Sequence, residues 1–305
     1  NIKESDFQRK KLNLVVVLDI SGSMGSPFDR YYYDRFKTPQ PQPFSPTQSP
    51  GLWDTTKPDE TEWSKKKIQV ASESIVAMLK HLKPEDRFGM VLFDQGAYLA
   101  KGLGLVGETD MEKIKGHILA LGEQGSTNME AGIQEGTKLF ASLQEANPAE
   151  YENRIIFLTD AQPNTGDISE NSFMRLTRKN ADDKIYMTFI GIGVDFNTDL
   201  IEKITKIRGA NYYSVHSAQE FKERMDAECE YMVTPLVFNL ALNLSAKGFQ
   251  IEKVYGSPEA NEATGEIMKV NTLFPSKTQA GQTKGGIVLL KLKKLNEDAS
   301  LTIKT

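Results

Sequence analysis

Cysteine is almost absent. One residue in 305, Cys229, excludes any intramolecular disulfide. That leaves the compartment open, since bacterial and organellar proteins often lack disulfides. There is no basic surplus either: 37 Lys and Arg stand against 41 Asp and Glu, which argues against nucleic acid as the main partner. No apolar run approaches the ~20 residues a membrane helix needs. The three histidines, His81, His117 and His216, have no ligand-spaced partner at i+3 or i+4 and read as surface residues. No P-loop occurs, and Gly191-Ile192-Gly193 is too little for a nucleotide fingerprint. Cys229 falls in an expected helix, Ala218 to Tyr231, as a half-buried inert thiol. The chain opens on Asn1 rather than Met, which we read as a processed or trimmed form.

What is present is oxygen chemistry at strand ends. Val15-Val16-Val17-Leu18-Asp19 is an apolar run that stops at a carboxylate, and hydroxyls follow at Ser21 and Ser23. A carboxylate and two hydroxyls on one tight loop suit a hard cation, Mg²⁺, Ca²⁺ or Mn²⁺. Alone, the same three residues also read as a capping turn. Two later segments weigh against that: the loop Gly125-Ser126-Thr127-Asn128, which enters a helix, and the strand Ile155-Ile156-Phe157-Leu158-Thr159, which stops at Asp160. In open α/β sheets, ligands bind outside the carboxyl ends of strands.

Apolar runs at residues 12–18, 88–93, 155–159 and 185–192 read as buried strands, and 98–105 as an antiparallel edge strand. Helical spacing joins Ile68, Ala71, Ile75 and Met78, ending before Pro84. It recurs at Met111, Ile114 and Ile118 behind the candidate cap Asp110. Further helices are expected at Met129–Phe140, at 173–179, at Leu200–Ile207 ended by Gly209, and through Phe221, Met225, Cys229 and Met232. Such alternation predicts an α/β, doubly wound, mostly parallel sheet. After Pro235 the period becomes two (Leu236, Phe238, Leu240, Leu242, Leu244). Strands at 249–255, 267–270 and 287–292 follow, which predicts a small antiparallel β-sandwich. The Lys291 to Lys294 stretch reads as a solvated strand face.

The three oxygen-bearing segments, in this order, resemble the metal-ion-dependent adhesion site (MIDAS) of von Willebrand factor type A (vWA) domains. The resemblance covers roughly residues 12 to 230. The phrases Leu82-Lys83-Pro84-Glu85-Asp86-Arg87-Phe88 and Phe157-Leu158-Thr159-Asp160 are most similar to bacterial A-domain proteins and inter-alpha-trypsin inhibitor heavy chains, which set a β-sandwich beside the A domain. The resemblance implies a Rossmann-like vWA fold over residues 12–230 and a β-sandwich domain over 231–305, with 1–11 adding an N-terminal strand to it. It implies direct coordination by Ser21 and Ser23, by Thr127 directly or through water, and support from Asp19 and Asp160 through water or hydrogen bonds. Ala161 departs from the family, which usually has Gly there, without removing a ligand. Asp94 supports the site or serves a turn, and Asn128 caps the following helix.

Residues 25–63 interrupt the family pattern between the serine loop and the first helix. They hold seven of the thirteen prolines and both tryptophans, Trp53 and Trp63. A disordered linker is normally poor in aromatics. The segment reads either as a packed surface loop or as a ligand-binding rim. The rim would draw on Tyr31, Tyr32, Tyr33 and Trp53, with Phe36 and Phe44. Asp29 and Asp34 are a weak second cation pair.

The expected function is a non-enzymatic, divalent-cation-dependent binding and adhesion module. It grips an Asp or Glu carboxylate of a partner protein, without nucleic acid or membrane insertion, in an exported setting. A Mg²⁺-dependent phosphoester hydrolase is an alternative, though no general base or Lys/Arg clamp shows in the motifs. An assembly factor for an AAA-type ATPase is another. Scattered side chains, or a buried Lys or Arg plugging the rim, would remove the site.

Overall fold

The computed structural model describes residues 9–28, 65–143, 150–161, 167–193, 198–276, 287–297 and 299. Six strands form the central sheet: β1 (Lys11–Asp19), β2 (Arg87–Phe93), β3 (Ala97–Leu105), β4 (Tyr151–Thr159), β5 (Ile185–Ile192) and β6 (Asn211–Val215). Their order is β3-β2-β1-β4-β5-β6. Every neighbouring pair is parallel except β2 with β3. β1 lies at the centre, so its carboxyl end opens between those of β2 and β4.

Among the described residues, seven α-helices complete the α/β body: α1 (Lys67–Leu79), α2 (Met111–Leu119), α3 (Met129–Lys138), α4 (Asp167–Asp182), α5 (Thr198–Thr205), α6 (Ala218–Met225) and α7 (Cys229–Val233). Alternate residues of β1 serve the two faces. Leu12, Leu14, Val16 and Leu18 join a cluster with Ile68 and Ile75 of α1, Phe221 of α6 and Met232 of α7. Val15 and Val17 join Ile133 of α3, Phe173 of α4 and Ile204 of α5. Cover on both faces is why β1, β4 and β5 read as continuous apolar runs instead of alternating ones. α3 comes especially near the sheet. A Cβ at Gly136 would stand 2.6 Å from Val17 Cγ2, and one at Gly132 2.9 Å from the Phe93 ring. This close approach seats the loop that precedes α3.

The expected elements appear, with three differences. β6 was not anticipated: it is a five-residue strand whose middle, Tyr212, Tyr213 and Ser214, is only half buried. α4 is far longer than 173–179, because its first turn is mostly polar and carries no apolar period. The single helix expected from Ala218 to Tyr231 is two. Ala227 and Glu228 both donate to the Glu223 carbonyl (2.9 and 3.2 Å), so the backbone widens there and restarts at Cys229. Met225, Cys229 and Met232 all remain buried.

Beyond α7 lie β7 (Val237–Asn243), β8 (Phe249–Tyr255), β9 (Glu266–Leu273) and β10 (Leu289–Lys294). They form two two-stranded antiparallel ladders, β7 with β9 and β8 with β10. The β7/β9 ladder meets the amino ends of the sheet strands. The Phe238 ring lies 5.3 Å from Tyr186, the Arg208 guanidinium stands 4.4 Å over Phe238, and the Gly209 amide donates to Thr272 Oγ1 at 2.7 Å. Arg154 is fully buried at this end. It donates to Glu152 (2.9 Å), Thr188 (3.0 Å) and the Gly209 carbonyl (3.0 Å), and stands 5.3 Å over the Phe274 ring. Nearby, Arg9 reaches both oxygens of buried Asp86 at 3.2 and 2.7 Å. Of residues 1–11, then, Lys11 opens β1 and Arg9 is tied to the end of the sheet; residues 1–8 lie outside the described residues.

Candidate metal centre

The site is assembled at the opposite end, where β1 and β4 stop. Their parallel register pairs Leu18 with Leu158, which sets Asp19 beside Thr159 and Asp160 one step on. Asp19 is fully buried. Its Oδ1 accepts the Ser21 amide at 2.8 Å, and its Oδ2 accepts the Thr159 hydroxyl at 2.5 Å. After Ser21 the chain makes one 3₁₀ turn, Gly22–Gly25. Ser21 occupies the N-cap position of that turn, yet its side chain makes no capping bond. Its hydroxyl instead shares a hydrogen bond with Ser23 Oγ at 3.1 Å, and Ser23 donates to Asp160 Oδ1 at 2.6 Å. Asp19, Ser21, Ser23 and Asp160 thus form one hydrogen-bonded group. Ser23 is exposed while the other three are buried.

The third segment is tied to this group through its backbone. The Gly22 amide donates to the Gly125 carbonyl (3.0 Å) and the Gln124 amide to the Ile20 carbonyl (2.6 Å). Gly125 has φ +71°, and a Cβ there would meet Asp94 Oδ2 at 2.7 Å, so glycine is required twice over. Asp94 accepts the Gly96 amide (2.9 Å) and the Tyr98 hydroxyl (3.0 Å), while its carbonyl takes the Asn128 amide (2.6 Å). It therefore fixes both its own turn and the loop opposite. Asn128 caps α3 by accepting the Ala131 amide at 3.1 Å. Thr127, between these anchors, is exposed. The structure joins it to the group by the backbone of its loop, with no side-chain hydrogen bond among the described residues.

Two residues at the rim carried no signal in the sequence motifs. Thr159 was read only as the last apolar-strand residue, although its hydroxyl holds Asp19. Lys67, the first residue of α1, is the third lysine of the run Lys65-Lys66-Lys67 and was not singled out. Its ammonium lies 2.7 Å from Asp160 Oδ2, and its side chain is only 11 % exposed. A buried lysine at the rim was one of the two conditions that would remove the site. Lys67 meets it in part: it holds one oxygen of Asp160, while Asp19, Ser21 and Ser23 bond to other partners.

Lys67 is positioned by the ends of the interrupting segment. Pro27 and Lys66 form an antiparallel bridge, the Phe28 amide donates to the Lys65 carbonyl (3.1 Å), and the Lys67 amide to the Ser26 carbonyl (3.0 Å). Lys66 pairs with Glu123 at 2.6 Å, joining this stem to the Thr127 loop. Tyr31, Tyr32, Tyr33, Phe36, Phe44 and Trp53, with Asp29 and Asp34, lie outside the described residues.

Chemically, the group offers two carboxylates and a set of hydroxyls, all hard oxygen donors. Among the described residues, no three His, Cys, Asp or Glu side chains converge anywhere, this rim included, so its donor set leans on the hydroxyls. Burial pushes the Asp19 carboxyl above its ordinary value; neighbouring Asp160 adds to this, and the bonds from Ser21 and Thr159 oppose it. A cation placed between the two carboxylates would relieve that strain, so the donors fit a hard divalent ion. The histidines take no part: His81 pairs with Asp226 and His216 with Ser214. His117 sits exposed in the last turn of α2.

Residues 60–227, more than half of the chain, match the family profile of the von Willebrand factor type A domain. The chain belongs to the vWA family. The match begins at residue 60, near the end of the interrupting segment, so β1 and the serine turn are placed in the vWA sheet by strand pairing. Relatives include inter-alpha-trypsin inhibitor heavy chain H1 of Sus scrofa, 21 % identical over 184 residues covering 59 % of this chain and 20 % of that protein. Heavy chain 4 of Mus musculus is 24 % identical over 181 residues, 58 % of this chain and 19 % of that protein. The chain thus spans about a fifth of the length of these relatives. Among solved structures, a von Willebrand factor type A protein from Catenulispora acidiphila superposes with TM-score 0.52 at 16 % identity, over 95 % of this chain and 67 % of that one. The PilB minor pilin of Streptococcus sanguinis gives TM-score 0.52 at 14 % identity, over 74 % and 63 %. At these identities the structures speak for the fold alone. vWA domains are found in adhesion and interaction modules, which supports a protein-binding role, and they commonly bind a divalent metal. No described helix is long and apolar enough to cross a membrane.

Proposed function

We propose that this chain is a non-enzymatic vWA module that binds a protein partner through a divalent cation, Mg²⁺ or in its place Ca²⁺ or Mn²⁺. Ser21 and Ser23 would hold the ion through their hydroxyls, Thr127 would complete the set, and Asp19 and Asp160 would orient the serines and balance charge. When bound, the ion supplies an electrophilic position for an Asp or Glu side chain of the partner. With few carboxylates bonded to it directly, it keeps the positive charge that such a side chain seeks. The supporting observation is the continuous hydrogen-bonded group Asp19–Ser21–Ser23–Asp160 at the carboxyl rim of β1 and β4. An exported location fits the heavy-chain relatives, and the β7–β10 region (231–305) would act as a spacer or second contact.

Lys67 is the Lys/Arg group a phosphoester hydrolase would need, but it is bonded to Asp160 and largely buried, which leaves it poorly placed to clamp a phosphate. Calorimetric titration with Mg²⁺ tests the assignment. Wild type should bind saturably and Asp19→Ala should not; equal affinity in the two rejects the site. A partner captured from an extracellular fraction and released by a chelator would establish the binding role.

A further inference from the structure

We infer that Lys67 is an internal competitor for the divalent cation, so that its ammonium sets the metal affinity of this site. The inference rests on the proposed metal site and goes beyond it. Asp160 has two oxygens with two occupants: Ser23 donates to Oδ1 at 2.6 Å and Lys67 to Oδ2 at 2.7 Å. The ammonium has three donors and no acceptor, so it cannot ligate a metal; it can only share or yield the carboxylate. With Asp19 and Asp160 ionised, the rim carries two negative charges and Lys67 cancels one. A hard cation seated beside Asp160 stands close to a buried positive charge, where solvent and salt screen little.

The lysine is held in place, not merely adjacent. Its amide bonds to the Ser26 carbonyl, the bridge between Pro27 and Lys66 fixes the preceding residue, and Lys66 is tied to Glu123. No other carboxylate pairs with Lys67 among the described residues. The same contact satisfies Asp160 when no divalent ion is bound, so the folded rim does not depend on the metal.

The test is calorimetric titration of the whole chain with Mg²⁺ and with Mn²⁺, for wild type, Lys67→Met, Lys67→Arg and Asp19→Ala. Lys67→Met should bind at least tenfold tighter than wild type, and Lys67→Arg, which keeps the charge, within about threefold of it. Thermal melts supply a second readout. Without divalent ion Lys67→Met should melt below wild type, and saturating Mg²⁺ should raise its midpoint by more. If Lys67→Met is unfolded without the ion, circular dichroism during a Mg²⁺ titration replaces the melt: recovery supports the inference, and none overturns it. Lys67→Met affinity equal to or weaker than that of a binding-competent wild type overturns the competitor role and leaves the metal site standing. Binding by Lys67→Met alone supports the role in its strongest form. No binding by either protein removes the metal site, and the competitor with it.

Discussion

The two ends of the central sheet both bury charge, and they treat it in opposite ways. At the amino end each buried ion has a dedicated counter-ion and a cover. Arg154 meets Glu152 beneath the Phe274 ring, and Arg9 grips both oxygens of Asp86. At the carboxyl end the Lys67 ammonium holds Asp160 alone, Asp19 is met only by hydrogen bonds from Ser21 and Thr159, and Ser23 and Thr127 are exposed. A closed, balanced pole serves the fold. An open pole with surplus negative charge fits the cation proposed for it.

The sharpest way to break this comparison is Arg154→Ala. It strands Glu152 in the interior, and truncating one member of a buried pair costs about 3–5 kcal/mol. Urea unfolding measures it, and a loss under about 1 kcal/mol would show that the amino pole is not sealed. Cys229 offers a smaller effect at the same pole. Burial pushes its thiol up to about 12, against the ordinary 9.0. A raised value means that the thiol's contribution is complete below about pH 9 and is lost as pH climbs toward 12. By pH 10 this amounts to about 1 kcal/mol. Comparing urea midpoints of wild type and Cys229→Ala at pH 8 and pH 10 isolates it, and a thiol reagent at pH 8 should label only the unfolded chain. The smallest effect, and of opposite sign, is expected at the carboxyl pole. Asp19→Asn removes a carboxyl that burial and Asp160 hold above its ordinary range. That carboxyl favours the folded state at low pH, and the favour is lost as pH rises past the ordinary Asp value of ~3.9. Without divalent ion, Asp19→Asn should therefore be no less stable than wild type at pH 7, as urea unfolding would measure. A clear loss would mean that the carboxyl pole is as structural as the amino one.

Of this contrast only the carboxyl pole was legible in the sequence, at the strand ends; the buried pairs of the amino pole were not. Asp19 and Asp160 each end an apolar run, and such runs are readable because both faces of β1, β4 and β5 are covered. β6 escaped notice because an edge strand of five residues with half-buried tyrosines has neither a continuous apolar run nor a clean alternation. Thr159 and Lys67 escaped for a different reason. Thr159 holds Asp19 through the parallel register of two strands far apart in sequence, and nothing local marks it. Lys67 sits in a run of three lysines whose companions reach Glu73 and Glu123 at the partly exposed surface. Only the bridge between Pro27 and Lys66 turns the third one inward.

That bridge also joins the two chain ends that flank residues 29–64. The residues on either side of 29–64 are stapled into one stem, with Phe28 buried against Phe221. Material of another length or composition could be grafted above the staple without moving the serine turn or the start of α1. The domain therefore owns a socket for interchangeable decoration beside its serine turn.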